Sequence, residues 1–315
     1  MKPDVSVIIP VFNIEKYVVD LVRQLERQAF EACEYLIVDD GSSDETLALL
    51  MELGLSSKAK EKFHIISLKH SGVSNARNVA IDQARGEYLI FLDGDDYFEP
   101  DLIETYFSKI RESNADIAFF PFNMVDDSAQ RDLIEYQTHY ERLASPIAYT
   151  GNQFLDFISR GLIGGYPIAY ISRRIAWKNA RFPVEFMLHE DLYALVELIN
   201  SNPCVTIRVY DDVKYHYIMH SESAIHTAGW ADFDDYVAVK KQIIGTVLSK
   251  KIRQNVQKSI YDDYVNWCAE EMDSERMERH YNYLIHNIGD VRLSVKGLIK
   301  AVVNITMLKV RIVFS

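Results

Sequence analysis

Along the first third of the chain, apolar runs and amphipathic stretches alternate. Val5–Val11 is apolar and β-branched, the pattern of a strand buried on both faces. Glu15–Gln28 follows, with Tyr17, Val18, Leu21, Val22 and Leu25 at helical spacing. The rhythm continues with strands at Tyr35–Val38, His64–Leu68, Tyr88–Leu92 and Ile117–Pro121. Between them come helices at Asp44–Leu53, Val73–Ala84 and Pro100–Glu112. Ser42, Ser43 and Asp44 offer cap chemistry at the second helix. Strands alternating with helices predict an α/β fold, an open and mostly parallel sheet flanked by helices.

Beyond residue 125 the pattern loosens. Asp126–Pro146 is polar and reads as a long loop. Asn152–Ser159 reads as a helix, Ile168–Ser172 as extended and Glu190–Asn200 as a helix. Val205–Tyr217 reads as a hairpin-like strand pair around Asp211 and Asp212. From Trp230 onward, proline is absent and charged and apolar residues mix at helical spacing. The expected division is a catalytic domain over 1–229, with halves at about 1–125 and 126–229, and a C-terminal helical region over 230–315.

The unusual polar clusters share a place. Pro10–Asn13, Asp39–Ser42, His70–Gly72 and Asp93–Asp96 each follow a strand, at the edge where open α/β sheets bind ligands. Turn chemistry alone would explain any one of them. The chain has neither GxGxxG after the first strand nor GxxxxGK[ST], so a dinucleotide fingerprint and a P-loop are both excluded. Asp93 and Asp95 instead supply the oxygen ligands that Mg²⁺ or Mn²⁺ takes together with substrate phosphates. Gly94 between them is expected to let the backbone approach a ligand.

Charge narrows the partners. The net charge of −12 disfavours nucleic acid. Residues 291–315 nevertheless hold no acid, and Arg292, Lys296, Lys300 and Arg311 fall on one side of a helical projection. That segment suits an anionic membrane surface; packing on the catalytic domain or a homodimer contact are the alternatives. Three scattered cysteines, Cys33, Cys204 and Cys268, indicate neither zinc nor a disulfide framework and fit a reducing compartment. No secretion signal and no apolar run of membrane-spanning length is read, so a cytoplasmic protein, peripheral on the inner face of the cell membrane, is expected.

SVIIPVFN, IVDDGSSDET, SGVSNARNVAI, GEYLIFLDGDDYFEPD and HEDL, in this order, resemble the family 2 glycosyltransferases of GT-A fold. The resemblance is strong over Val5–Pro100 and weaker to Ser223. It implies an inverting transfer of a sugar from a nucleotide-sugar, UDP-linked first, to a glycan or lipid-linked acceptor of surface polysaccharide. Pro10 and Phe12 would then pack on the base, Asp40 would contact it and Arg77 would lie near the donor. Asp93 and Asp95 would form the DxD motif, with Asp95 ligating the metal directly and Asp96 structural. His220 is the candidate for completing the metal shell. Asp191 is the expected base. Helical projection agrees, placing it at the border of a face formed by Leu192, Leu195, Val196 and Ile199, with Glu190 pointing away beside Ala194 and Glu197. Tyr166, Tyr170 and Glu190, with Gly164 and Gly165 nearby, are candidates for the acceptor side. Two other readings remain: a non-catalytic glycan-binding or scaffold subunit, and a sugar nucleotidyltransferase. The latter would need a Gly-rich loop where PVFN stands.

Overall fold

A computed structural model describes residues 2–126, 147–186, 188–202, 204–219, 230–247 and 249–259. The expected loop after Asp126, His220 and the basic stretch over 291–315 lie outside these residues.

The first strands form as the apolar runs predict. β1 (Val5–Val11) and β2 (Cys33–Asp39) are buried at every position, and β4 (Tyr88–Phe91) is too, whereas β3 (Phe63–Ser67) lies at the sheet edge and is half-exposed. Helices α1 (Val18–Glu26), α2 (Thr46–Ser56) and α3 (Val73–Gln83) connect them, and α4 (Leu102–Ser113) follows β5 (Tyr97–Phe98). α1 buries Val18, Leu21, Val22 and Leu25, the stripe its spacing requires.

β6 (Ile117–Phe119), β7 (Phe122–Asp126), β8 (Ala148–Thr150), β9 (Tyr170–Arg173), β10 (Thr206–Val209) and β11 (Tyr215–Met219) complete the strands. The large sheet runs β3-β2-β1-β4-β9-β6-β10-β8. Its β3-β2-β1-β4 half is parallel; β9 then pairs antiparallel with both β4 and β6. Tyr170 sits at the centre of this sheet and is fully buried against Phe91 and Phe119. It is core, not part of an acceptor cleft.

β10 and β11 are not a hairpin. β10 joins β6 and β8 in the large sheet, whereas β11 crosses to a second sheet of order β5-β11-β7. Its start pairs with β5, Tyr215 opposite Phe98, and its whole length lies parallel to β7. This small sheet stands beside the carboxyl end of β4.

α5 (Gly151–Ser159) opens on a capping box between Thr150 and Gln153. α6 (Glu190–Asn200) packs between α5 and α7 (Trp230–Thr246). Enclosure on several sides buries Ala194, Leu195, Val196, Leu198 and Ile199 together. No helix among the described residues is long and apolar enough to cross a membrane.

Candidate active site

Register aligns the strand ends. Val11 lies opposite Asp39, Asp39 opposite Ser67, and Ile8 opposite Phe91, so the four polar clusters do meet at one edge. Many of their members sew the loops together. The Asn13 backbone N–H donates to Ser42 Oγ at 2.9 Å, and Ser43 N–H donates to Asn13 Oδ1 at 2.8 Å. Ile14 N–H reaches Thr46 Oγ1 at 2.8 Å, and Glu15 N–H reaches Asp44 at 3.2 Å. For Asn13, Ser42, Ser43 and Asp44, turn chemistry is the whole explanation the contacts require.

Pro10 is buried within β1, one residue before its end, so it presents no open face. Phe12 does: the residue is 43% exposed, and its ring stacks on His70, centroids 4.4 Å apart. Asp40 is buried beneath this pair and holds the loop before α3. Its Oδ1 accepts from Ser71 N–H at 2.9 Å, its Oδ2 from Gly72 N–H at 2.8 Å.

The three acids after β4 divide their work. Asp93 and Asp95 are half-buried. Asp96 turns inward, accepting from Tyr215 Oη at 2.5 Å and from Ile218 N–H at 2.7 Å. Burial, reinforced by Asp93 and Asp95, pushes its carboxyl well above the ordinary range. Tyr215 Oη also accepts from Asp93 N–H at 3.1 Å, which ties β11 to the loop. Gly94 is buried, and a Cβ there would meet the side chains of Ile14, Val11 and Leu21. Its smallness serves packing beneath the loop.

Arg77 joins α3 to both acid pairs. Its guanidinium, buried and stacked over the Phe182 ring, donates to Glu190 Oε1 at 2.9 Å and reaches Asp93 Oδ1 at 3.3 Å. Glu190 therefore faces inward, contrary to the helical projection. A one-sided wheel fails because α6 is enclosed on several sides and because Arg77 supplies the charge a buried glutamate needs. Asp191 remains half-exposed, its Oδ1 accepting the Leu192 N–H at 2.6 Å. Burial raises the Asp191 carboxyl; Arg77 pulls it down in part, and Asp93 adds to the rise. Glu190 is raised by burial and by Asp191, with Arg77 again opposing.

The start of α6 rests on a glycine. A Cβ on Gly165 would lie 2.6 Å from the carbonyl carbon of Asp191 and closer still to the Leu192 backbone. His189, before the helix, has φ 62°, in the left-handed region. Tyr166, half-buried against Phe122, feels the charge of Asp191, and Tyr217 on β11 feels Asp96, Asp93 and Asp95; burial is the leading cause of the raised hydroxyl in both. Tyr215 and Tyr217 carry no motif, and only the pairing of β11 with β5 and β7 brings them to the acids.

Among the described residues, no group of three or more His, Cys, Asp or Glu side chains could hold a metal ion on its own. Asp93 and Asp95 supply oxygen ligands only, which fits a hard divalent cation whose shell substrate phosphates complete.

Residues 6–176 match the model of Glycosyl transferase family 2. The chain belongs to that family. It is 25% identical over 264 residues to the poly(ribitol-phosphate) beta-N-acetylglucosaminyltransferase TarS of Staphylococcus aureus, covering 83% of this chain and 43% of TarS. It is 27% identical over 205 residues to the glycosyltransferase GlyA of Streptococcus pneumoniae, covering 62% of this chain and 29% of GlyA. This family 2 chain thus spans less than half the length of either relative. Among solved structures, S. aureus TarS 1-349 in complex with UDP-GlcNAc superposes with a TM-score of 0.64 at 21% identity, over 95% of this chain and 79% of that one. The mannosyltransferase PcManGT of Pyrobaculum calidifontis, in complex with GDP-Man and Mn²⁺, gives 0.58 at 12%, over 99% and 88%. These likenesses establish the GT-A fold.

Proposed function

We propose that this family 2 chain is an inverting glycosyltransferase that moves a sugar from a UDP-sugar to a hydroxyl of a surface-polysaccharide precursor. The observation behind it is the Arg77 bridge, which ties Asp93 of the DGDD loop to Glu190 and so sets Asp191 beside the DxD acids. The similarity to TarS, solved with UDP-GlcNAc, favours uridine in the donor.

Asp191 is the base. Glu190 is engaged by Arg77, whereas Asp191 is partly exposed, and burial raises its carboxyl, which makes it a better proton acceptor than an ordinary solvated aspartate. It takes the proton of the acceptor hydroxyl as that oxygen attacks the anomeric carbon. One displacement inverts the centre, and the diphosphate leaves. Asp93 and Asp95 would hold Mn²⁺ or Mg²⁺, which offsets the charge growing on the diphosphate. Phe12 and the Asp40 loop form the base end of the donor site, and Tyr166 and Tyr217 flank the acceptor end. The acceptor is glycan or lipid-linked, the 1–229 unit is the catalytic part, and the basic 291–315 segment holds the chain peripherally to the inner membrane surface.

Calorimetric titration with UDP, dTDP and GDP, with and without Mn²⁺, tests the reading. The expected outcome is Mn²⁺-dependent UDP binding that Asp95→Ala abolishes. Asp191→Asn should keep that binding but lose turnover by at least about a hundredfold. Folded protein that binds no nucleotide with Mn²⁺ would overturn the donor site.

A further inference from the structure

We infer that Tyr215 is a positioning residue of the DGDD loop: its hydroxyl sets the loop backbone so that the Asp93 and Asp95 carboxylates meet the donor's divalent cation. The inference deepens the donor reading above and rests on it.

The loop turns between two fixed ends. At its entry the Leu92 N–H donates to the Ile8 carbonyl at 3.0 Å, which continues the pairing of β4 with β1. At its exit β5 pairs with β11, Phe98 opposite Tyr215 and Tyr97 opposite His216. Within the turn the Asp96 N–H lies 3.5 Å from the Asp93 carbonyl oxygen, longer than a good hydrogen bond. Side chains from elsewhere hold it instead. Gln24 on α1 donates from Nε2 to the Asp96 carbonyl at 3.1 Å and accepts the Phe98 N–H at 2.9 Å. Tyr215 spans the turn from inside, where its Oη accepts the Asp93 N–H at 3.1 Å and donates to Asp96 Oδ2 at 2.5 Å. The hydroxyl has one proton and the Asp93 N–H can only donate, so both directions are fixed.

Tyr215 sets a position because its own is set. It is fully buried, its ring lies at 18° to that of Phe98, and its strand runs along the whole of β7. The same strand holds the other oxygen of Asp96, through the Ile218 N–H at 2.7 Å. The hydroxyl thus joins the first and last residues of the motif, and Asp95 sits between them. Removing it would leave a buried carboxylate oxygen and the Asp93 N–H without that partner, which favours a shift of the loop. A shift moves the cation's two carboxylates and leaves their chemistry intact.

The test titrates Mn²⁺ in the presence of UDP, with free Mn²⁺ followed by electron paramagnetic resonance. It compares wild type, Tyr215→Phe and, as a control at the far end of the sheet, Glu34→Gln, with thermal midpoints confirming folding. Tyr215→Phe should bind Mn²⁺ about tenfold or more weakly, the usual loss when a group that orients metal ligands is removed. Glu34→Gln should stay within about twofold of wild type. The Mn²⁺ concentration for half-maximal rate should rise in Tyr215→Phe by the same factor, while kcat at saturating Mn²⁺ stays within about threefold of wild type. Asp96→Asn reverses the hydrogen bond to Tyr215 without emptying its space; it reads the same clamp should Tyr215→Phe not fold, and should weaken Mn²⁺ binding too. Wild-type Mn²⁺ affinity in the folded variant overturns Tyr215 as a positioning residue and leaves the donor reading intact. Equal weakening in Glu34→Gln, or a fall in kcat that saturating Mn²⁺ does not restore, overturns it as well. Wild type that binds no Mn²⁺ with UDP overturns the donor reading together with it.

Discussion

At the scale of single residues, the DGDD loop shows how one motif holds two kinds of carboxylate. Asp93 and Asp95 face the strand edge, whereas Asp96 satisfies Tyr215 Oη and the Ile218 N–H inside the protein. Asp96→Ala should therefore strip two buried groups of their acceptor and destabilise the fold by about 2–4 kcal/mol in urea unfolding. Asp96→Asn keeps a carbonyl for Ile218 and should cost less than half as much. Asp95→Ala should leave the unfolding midpoint nearly unchanged while abolishing metal-dependent binding. The presence of an acid pair was legible from D-G-D-D after a buried strand. The inward turn of Asp96 followed only from the resemblance, because its partners Tyr215 and Ile218 lie some 120 positions away on a strand that appeared to belong to a hairpin. The packing role of Gly94 was hidden for the same reason: Ile14, which packs against it, comes from another loop.

At the scale of elements, the orientation of α6 decides which acid can be the base. A helical wheel assumes one buried face, and α6 has no single exposed side to define it. Ala194 and Glu190 are buried by α5, α7 and Arg77, and nothing local to the helix announces that enclosure. The strands of β1 to β4 were legible because each carries a largely apolar run in a parallel sheet. β5, β7 and β8 were not, being short and paired with partners far along the chain. What fixes α6 in place is the backbone contact at Gly165. Gly165→Ala should push the start of the helix away, because the neighbour it meets is main chain and cannot rotate aside. We expect kcat to fall by about tenfold or more, as misplacement of a reacting group does. UDP binding should stay within about twofold of wild type, since Phe12, Asp40 and His70 lie on other loops. Steady-state kinetics beside calorimetry separates the two, and an equal loss of both would show that the helix does not move alone.

At the scale of the whole molecule, the two ends of the large sheet respond to acid in opposite ways. At the carboxyl edge, burial raises Asp191, so its deprotonated form is lost above the ordinary aspartate value of about 3.9. At the opposite end, Glu34 is 2% exposed, and burial alone would raise it. Hydrogen bonds from Ser6 Oγ at 2.6 Å, Arg85 N–H at 2.8 Å and Arg85 Nε at 2.7 Å outweigh burial and hold it below the usual glutamate value. Ser6 Oγ in turn accepts Gly86 N–H at 2.8 Å, so the carboxylate anchors the entry to β4 against β1 and β2. A lowered folded pKa means that its stabilisation is complete above the unfolded value of about 4.3 and disappears as pH falls through the folded value. On acidification from neutrality, kcat/KM should therefore fall before the fold does. The acid limb of the rate profile should lie above the ordinary aspartate value, while the circular-dichroism signal still reports native protein. Glu34→Gln isolates the second limb. It should cost about 1–3 kcal/mol at pH 7, by removing a buried charge from its donors, and leave the rate profile's shape unchanged. The stability gap to wild type should then begin to close as pH falls below the unfolded value of about 4.3 and vanish as it passes through the lowered folded value, where wild-type Glu34 becomes neutral too. A gap that stays constant throughout acid titration until the fold is lost would mean that shape, not charge, holds that end of the sheet.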